Sequence, residues 1–149
     1  MNIENIIQTK AMPYHRKTVV HLMYTANTVA DKISEVLKPF DISIQQFNVL
    51  RILRGQKGNP VNLFTIQERM IHKMSNTTRL VDKLIRKDLV KRKICPQNRR
   101  KVEINITAKG LDLLTVLDEI INAIEKNITK NLTQEECMAL NMLLEKIRS

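Results

Sequence analysis

KMSNTTRLVDKLIRKDLVKRKICPQNRRKVEINITAKG, residues 73–110, is the stretch whose reading decides the fold. Between Lys73 and Lys101 it holds eleven Lys and Arg against two acids, Asp82 and Asp88, which gives +9 beside a whole-chain net charge of +10. The rest of the chain is close to neutral. Basicity confined to one segment points to a local partner, and phosphate is the leading chemistry for it.

The first part of the window reads as a helix. At 100° per residue, Thr77, Leu80, Val81, Leu84 and Ile85 share a core-facing side, and Ser75 stands where an N-cap is expected. Ser75, Arg79, Lys83 and Arg86 point the other way, with Asn76 and Thr78 at the margins. Asp82 follows Arg79 by three residues and precedes Arg86 by four, spacing that lets one carboxylate hold both guanidinium groups. Val90–Ile94 and Lys101–Ile106 then read as two strands, the second placing Val102, Ile104 and Ile106 inward and Glu103 and Asn105 outward. CPQNRR between them is a polar turn with Arg99 and Arg100 at its tip. Such a hairpin beside a recognition helix is a wing, and an arginine there can enter a narrow A·T-rich minor groove.

Upstream, Ser43 and Gln46 make an S-x-x-Q capping box, with Ile42 placed to staple onto Phe47. The helix they open buries Phe47, Leu50 and Leu53 and ends near Gly55; GQKGNP is a turn leading to an extended Val61–Phe64. Thr65 and Glu68 repeat the box and open a short helix, with a break near His72 and Lys73 before the next one. Two short helices joined by a tight turn form a helix-turn-helix, whose second helix reads DNA. Further out, Val19, Leu22, Ala26, Val29, Ile33 and Val36 form a heptad-like stripe stopped by Pro39. On the other side, Thr107 caps a helix striped by Leu111, Leu114, Leu117, Ile121, Ile124 and Ile128, and Gly110 permits close packing. Leu132, Thr133, Glu136 and Cys137 combine a box and a staple to open a last helix on Cys137, Leu140, Leu144 and Ile147. These terminal stripes exceed what the small central unit can cover, which predicts a homodimer built from the terminal helices of two chains.

TRLVDKL (Thr78–Leu84), the DLVKR step, NRR (Asn98–Arg100) and ITAKG (Ile106–Gly110), with QQFNVLRIL (Gln45–Leu53), resemble the MarR family of bacterial winged helix-turn-helix transcriptional regulators. The resemblance implies a mainly α fold with a small β-hairpin wing: one MarR-like domain over 1–149, with a DNA-binding lobe at about 43–106. Residues 1–42 and 107–149 then supply N- and C-terminal dimerisation helices. It implies a ligand-responsive repressor that binds a pseudo-palindromic operator as a homodimer. The DNA-binding residues are Ser75, Asn76, Thr78, Arg79 and Lys83 in the major groove, with Arg86 and Lys101 on phosphate. By resemblance Arg100 takes the minor-groove role and Arg99 a phosphate or flanking contact, or the two are exchanged. The family usually has Asp where this chain has Asn98, so Asn98 is expected to brace Arg100 without a charge. A small aromatic or anionic effector is implied between the dimerisation helices and the lobe, with Tyr14, His15 and Tyr24 as candidate pocket residues.

Composition narrows the alternatives. The chain has the length of one domain, and 3% aromatics with no Trp make its core aliphatic. Three Gly and four Pro are too few for a many-turned β protein. No long apolar run marks a membrane span or a leader, so a soluble cytoplasmic protein is expected. Cys95 and Cys137 do not make a disulfide framework and read as free thiols, Cys137 at a core position. The histidines at 15, 21 and 72 are scattered, and no Gly-rich phosphate loop or metal-ligand cluster appears, so neither enzyme chemistry nor a cofactor is expected. The competing reading is a winged-helix module that docks an acidic protein without reading DNA sequence.

Overall fold

The computed structural model describes residues 1–149. Seven helices and one antiparallel hairpin follow in the order α1 (Ile3–Ile6), α2 (Tyr14–Leu37), α3 (Ile44–Arg54), α4 (Leu63–Arg69), α5 (Thr77–Arg86), β1 (Val90–Cys95), β2 (Asn98–Ile106), α6 (Ala108–Ile128) and α7 (Gln134–Arg148), with a 3₁₀ turn at Lys38–Phe40. This is the expected mainly α architecture with a hairpin wing.

The caps explain most of the boundaries. Ser43 Oγ accepts the Gln46 N–H and Gln46 Oε1 accepts the Ser43 N–H, both at 3.0 Å, so the capping box that opens α3 is complete. Ile42 and Phe47, the staple pair, are both buried. Thr133 and Glu136 close the same reciprocal box at α7. Pro39 sits in the 3₁₀ turn that ends α2, and Asp41 follows in the left-handed region at φ 54°. α2 itself starts at Tyr14, directly after Pro13, and its 24 residues span about 36 Å.

Two predicted starts move. α4 is capped by Asn62, whose Oδ1 accepts the Thr65 N–H at 2.8 Å, so the Thr65–Glu68 box lies inside the helix. Val61 explains the shift. It bridges Ile104 through N–H to carbonyl contacts of 3.1 and 2.8 Å, which holds the chain extended only as far as Asn62. α5 is capped by Asn76, whose Oδ1 accepts the Arg79 N–H at 3.1 Å, because the Ser75 backbone is already turned onto the His72 carbonyl at 3.1 Å.

Sixteen buried side chains, Phe47 the one aromatic among them, form one core under α3, α4, α5 and the wing base, completed by Leu37 of α2 and by Leu114, Leu117 and Ile121 of α6. Gly110 decides how closely α6 approaches. A Cβ there would strike the Leu89 carbonyl and lie 2.6 Å from Ile106 Cγ1. The termini differ from the centre: α7 buries no residue, and Cys137 is only half-buried, which corrects its reading as a core position. The helix detaches because its apolar side has nothing in the same chain to meet. No helix is long and apolar enough to cross a membrane.

Candidate nucleic-acid interface

α5 presents two chemically distinct faces. Thr77, Val81 and Leu84 are buried, whereas Asn76, Thr78, Arg79, Lys83 and Arg86 are exposed and, with Asp82, line a polar hollow of about 380 Å³. None of Arg79, Lys83 or Arg86 has an acidic partner. Asp82 was expected to hold Arg79 and Arg86. Instead it accepts a hydrogen bond from Arg92 Nη1 of β1 at 3.1 Å, because the strand leaving α5 runs back beside the helix. The exchange frees both α5 guanidinium groups and ties the helix to the wing.

The turn before α5 is built by side chains that periodicity does not single out. Gln67 of α4 donates from Nε2 to the Lys73 carbonyl at 2.6 Å and accepts the Thr77 hydroxyl at Oε1. Asn48 of α3 accepts the Ile71 N–H at 2.9 Å. These bonds set α5 against α3 and α4. Ser75 is partly buried here and its Oγ has no partner.

The wing departs from the expected tip. The turn proper is Pro96–Gln97, with Cys95 paired to Asn98, and the next pair is Ile94 with Val102. Arg99, Arg100 and Lys101 consequently have no partner on β1 and form a bulge. The arginines thus lie within β2, beside the tip. A bulge bends its strand and re-aims the side chains it carries. Asn98 braces this segment through its backbone: Oδ1 accepts the Arg100 N–H at 3.1 Å, the two-residue reach natural to a short amide side chain. Arg100 and Lys101 border a hollow of about 340 Å³ with Phe64, an aromatic left 69% exposed.

A further basic hollow was not legible from spacing. About 500 Å³ in volume, it brings Lys38 and Ser43 to Lys83, Arg86 and Lys87 across a separation of some forty residues. Lys87 is engaged there with Asp41, through its carboxylate at 3.3 Å and its carbonyl. Lys38, by contrast, has no acid within ion-pair reach.

The candidate effector residues are not brought together in the single chain. Tyr14 is 85% exposed and meets His15 edge to face at 5.5 Å, while Tyr24 stands ten residues further along α2. Phe47 is buried in the core beneath the Arg51 guanidinium, 5.5 Å from its ring.

The MarR family model matches residues 42–102, which spans α3, the helix-turn-helix and most of the wing. The multiple antibiotic resistance protein MarR of Escherichia coli is 30% identical over 129 residues, covering 85% of this chain and 88% of that one. The chain belongs to the MarR family. The HTH-type transcriptional repressor IacR of Pseudomonas putida is 26% identical over 133 residues, covering 89% of this chain and 75% of its own. A mutant E. coli MarR complexed with operator DNA superposes with a TM-score of 0.76 at 25% identity, covering 99% of each chain.

Proposed function

We propose that this protein is a ligand-responsive transcriptional repressor that binds a pseudo-palindromic operator as a homodimer. The carrying observation is the set of cations without an acidic partner on two elements joined by the Arg92–Asp82 bond: Arg79, Lys83 and Arg86 of α5, and Arg99, Arg100 and Lys101 of the wing. Phosphate contacts position such a face and base edges give it sequence preference. Arg79, with Asn76, Thr78 and Lys83, is assigned to the major groove, where a guanidinium pairs with guanine O6 and N7; Ser75, expected in that set, drops out because its Oγ is buried. Arg100 is assigned to the minor groove. Arg86, Arg99 and Lys101 are assigned to the backbone.

Residues 43–106 act as the DNA-binding lobe and 1–42 with 107–149 as the dimerisation helices. The apolar side chains left exposed on α2 and α7, among them Met23 and Met138 at 63% and 64%, support this division. Two lobes on one two-fold axis would present their α5 helices to successive major grooves, about 34 Å apart. A small aromatic or anionic effector acting through Tyr14, His15 and Tyr24 completes the proposal. Tyr14→Ala or His15→Ala should blunt the response to a phenolic ligand while unliganded DNA affinity stays unchanged; a full response in both variants removes them from the site.

The deciding experiment is selection of duplexes from a random pool, followed by binding to the winner and to a scrambled duplex across a salt series. A pseudo-palindromic winner preferred by about 10³-fold or more, with affinity falling steeply in salt, is the expected outcome. Equal binding to both duplexes leaves only electrostatic attachment, and no binding at low salt favours a protein-docking module.

A further inference from the structure

We infer that the ion pair between Arg54 and Asp118 pins the angle of the DNA-binding lobe on α6, and through it the half-site spacing the dimer accepts. The inference rests on the dimeric DNA-binding reading above and adds two positioning residues that touch no DNA. Arg54 ends α3 and Asp118 lies midway along α6. Their contact is bidentate, Nη1 to Oδ2 at 2.6 Å and Nη2 to Oδ1 at 3.0 Å.

The placement of this pair is what matters. All other side-chain hydrogen bonds between the lobe and α6 cluster at the start of that helix: Thr107 donates to the Asp88 carbonyl at 2.6 Å and Lys109 to the Lys87 carbonyl at 3.1 Å. Asp118 stands eight residues beyond Gly110, about 12 Å along the axis. Between the two points the lobe meets α6 through Leu114 and Leu117, and apolar contact has no preferred direction. One anchor leaves a pivot, whereas two anchors fix an angle. A planar guanidinium gripping both carboxylate oxygens also resists rotation, which a point charge does not.

The consequence is geometric. Changing the spacing between half-sites by one base pair rotates one relative to the other by about 35°. A pinned dimer rejects that change and a pivoting one accommodates it.

The test uses the full-length dimer with Cys95→Ser, Cys137→Ser and Glu68→Cys, spin-labelled at position 68, and measures the distribution of label-to-label distances without DNA. Asp118→Asn and Arg54→Lys, the second retaining the charge but losing the fork, are expected to broaden that distribution about twofold. An unchanged width in both overturns the inference, as does a lowered Tm accompanied by the parent's width, which would make the pair stabilising only. On the selected operator, the parent should lose about 100-fold in affinity when the spacing changes by one base pair, and Asp118→Asn about tenfold or less. Parent-like discrimination by Asp118→Asn also overturns it. A parent with no spacing preference at all refutes the DNA reading instead, and the label distances still decide whether the lobe is pinned.

Discussion

The α5–wing face and the α2–α7 surface are both exposed, yet for opposite reasons. Within α5 itself the apolar residues are buried or half-buried, Val81 and Leu84 fully so, and what that helix leaves outside is polar, with Arg79, Lys83 and Arg86 lacking an acidic partner. On α7 the polar requirements are met by a complete capping box, and what remains outside is hydrocarbon: Met138, Leu140, Met142, Leu143 and Ile147. The first surface asks for a polyanion. The second asks for another apolar surface, and a second copy of the chain carries one. A folded chain can therefore be incomplete in two ways, and the kind of incompleteness identifies the kind of partner.

Breaking the apolar side should have the largest effect. Leu140→Asp together with Leu143→Asp places charge in the intended dimer contact, and sedimentation should then report a monomer that loses about 10³-fold or more in operator affinity, since two half-sites no longer act together. Dimers surviving this change would move the interface away from α7. Next comes Arg79→Ala, expected to cost about 1–3 kcal/mol on the selected operator and far less on a scrambled duplex. Equal losses on both would demote Arg79 to a phosphate contact.

The wing separates more finely. Arg100→Ala should weaken binding mainly where A·T pairs flank the half-site, whereas Arg86→Ala should weaken all sequences alike and lower the salt slope by about one. Uniform losses from both would reduce the wing to a clamp on the backbone. The smallest effect concerns acid. The Arg54 guanidinium, hydrogen-bonded to Asp118, holds its carboxyl below the ordinary carboxylate range against the opposing effect of burial. A depressed folded value contributes stability above the unfolded pKa of about 3.9 and loses it as pH falls through the lower folded value. Asp118→Asn should therefore trail the parent slightly at neutral pH, with the gap closing below about pH 4 in an acid-unfolding series. A gap that persists unchanged to lower pH would mean the carboxylate charge is not what the pair contributes.

Most of the helices and their faces were legible in the sequence; the short α1 and the core place expected for Cys137 are the exceptions. The capping boxes at Ser43 and Thr133, the stop at Pro39 and the buried stripe of α5 all depend on residues three or four apart, and they form as read. Gly110 was marked for close packing, and the Leu89 carbonyl is what it admits. The candidate site was legible as a cluster of charges, though not in its wiring. Asp82 has helical neighbours at favourable spacing and still binds Arg92, since a strand ten residues later offers a partner that spacing along one helix cannot reveal. The Thr65 box failed for a similar reason: the bridge from Val61 to Ile104 sets where α4 can begin.

Local chemistry thus determined by itself that this chain forms amphipathic helices around a basic helix and hairpin, because caps, stops and faces are settled within one or two turns. Only the tertiary structure decided which cations stay free, how the wing bulges at Arg99–Lys101, that Gln67 and Asn48 shape the turn before α5, and that Arg54 meets Asp118. Those outcomes depend on residues brought together from distant parts of the chain, up to 64 positions apart for Arg54 and Asp118. A side chain with several possible partners takes the one the packed core delivers to it.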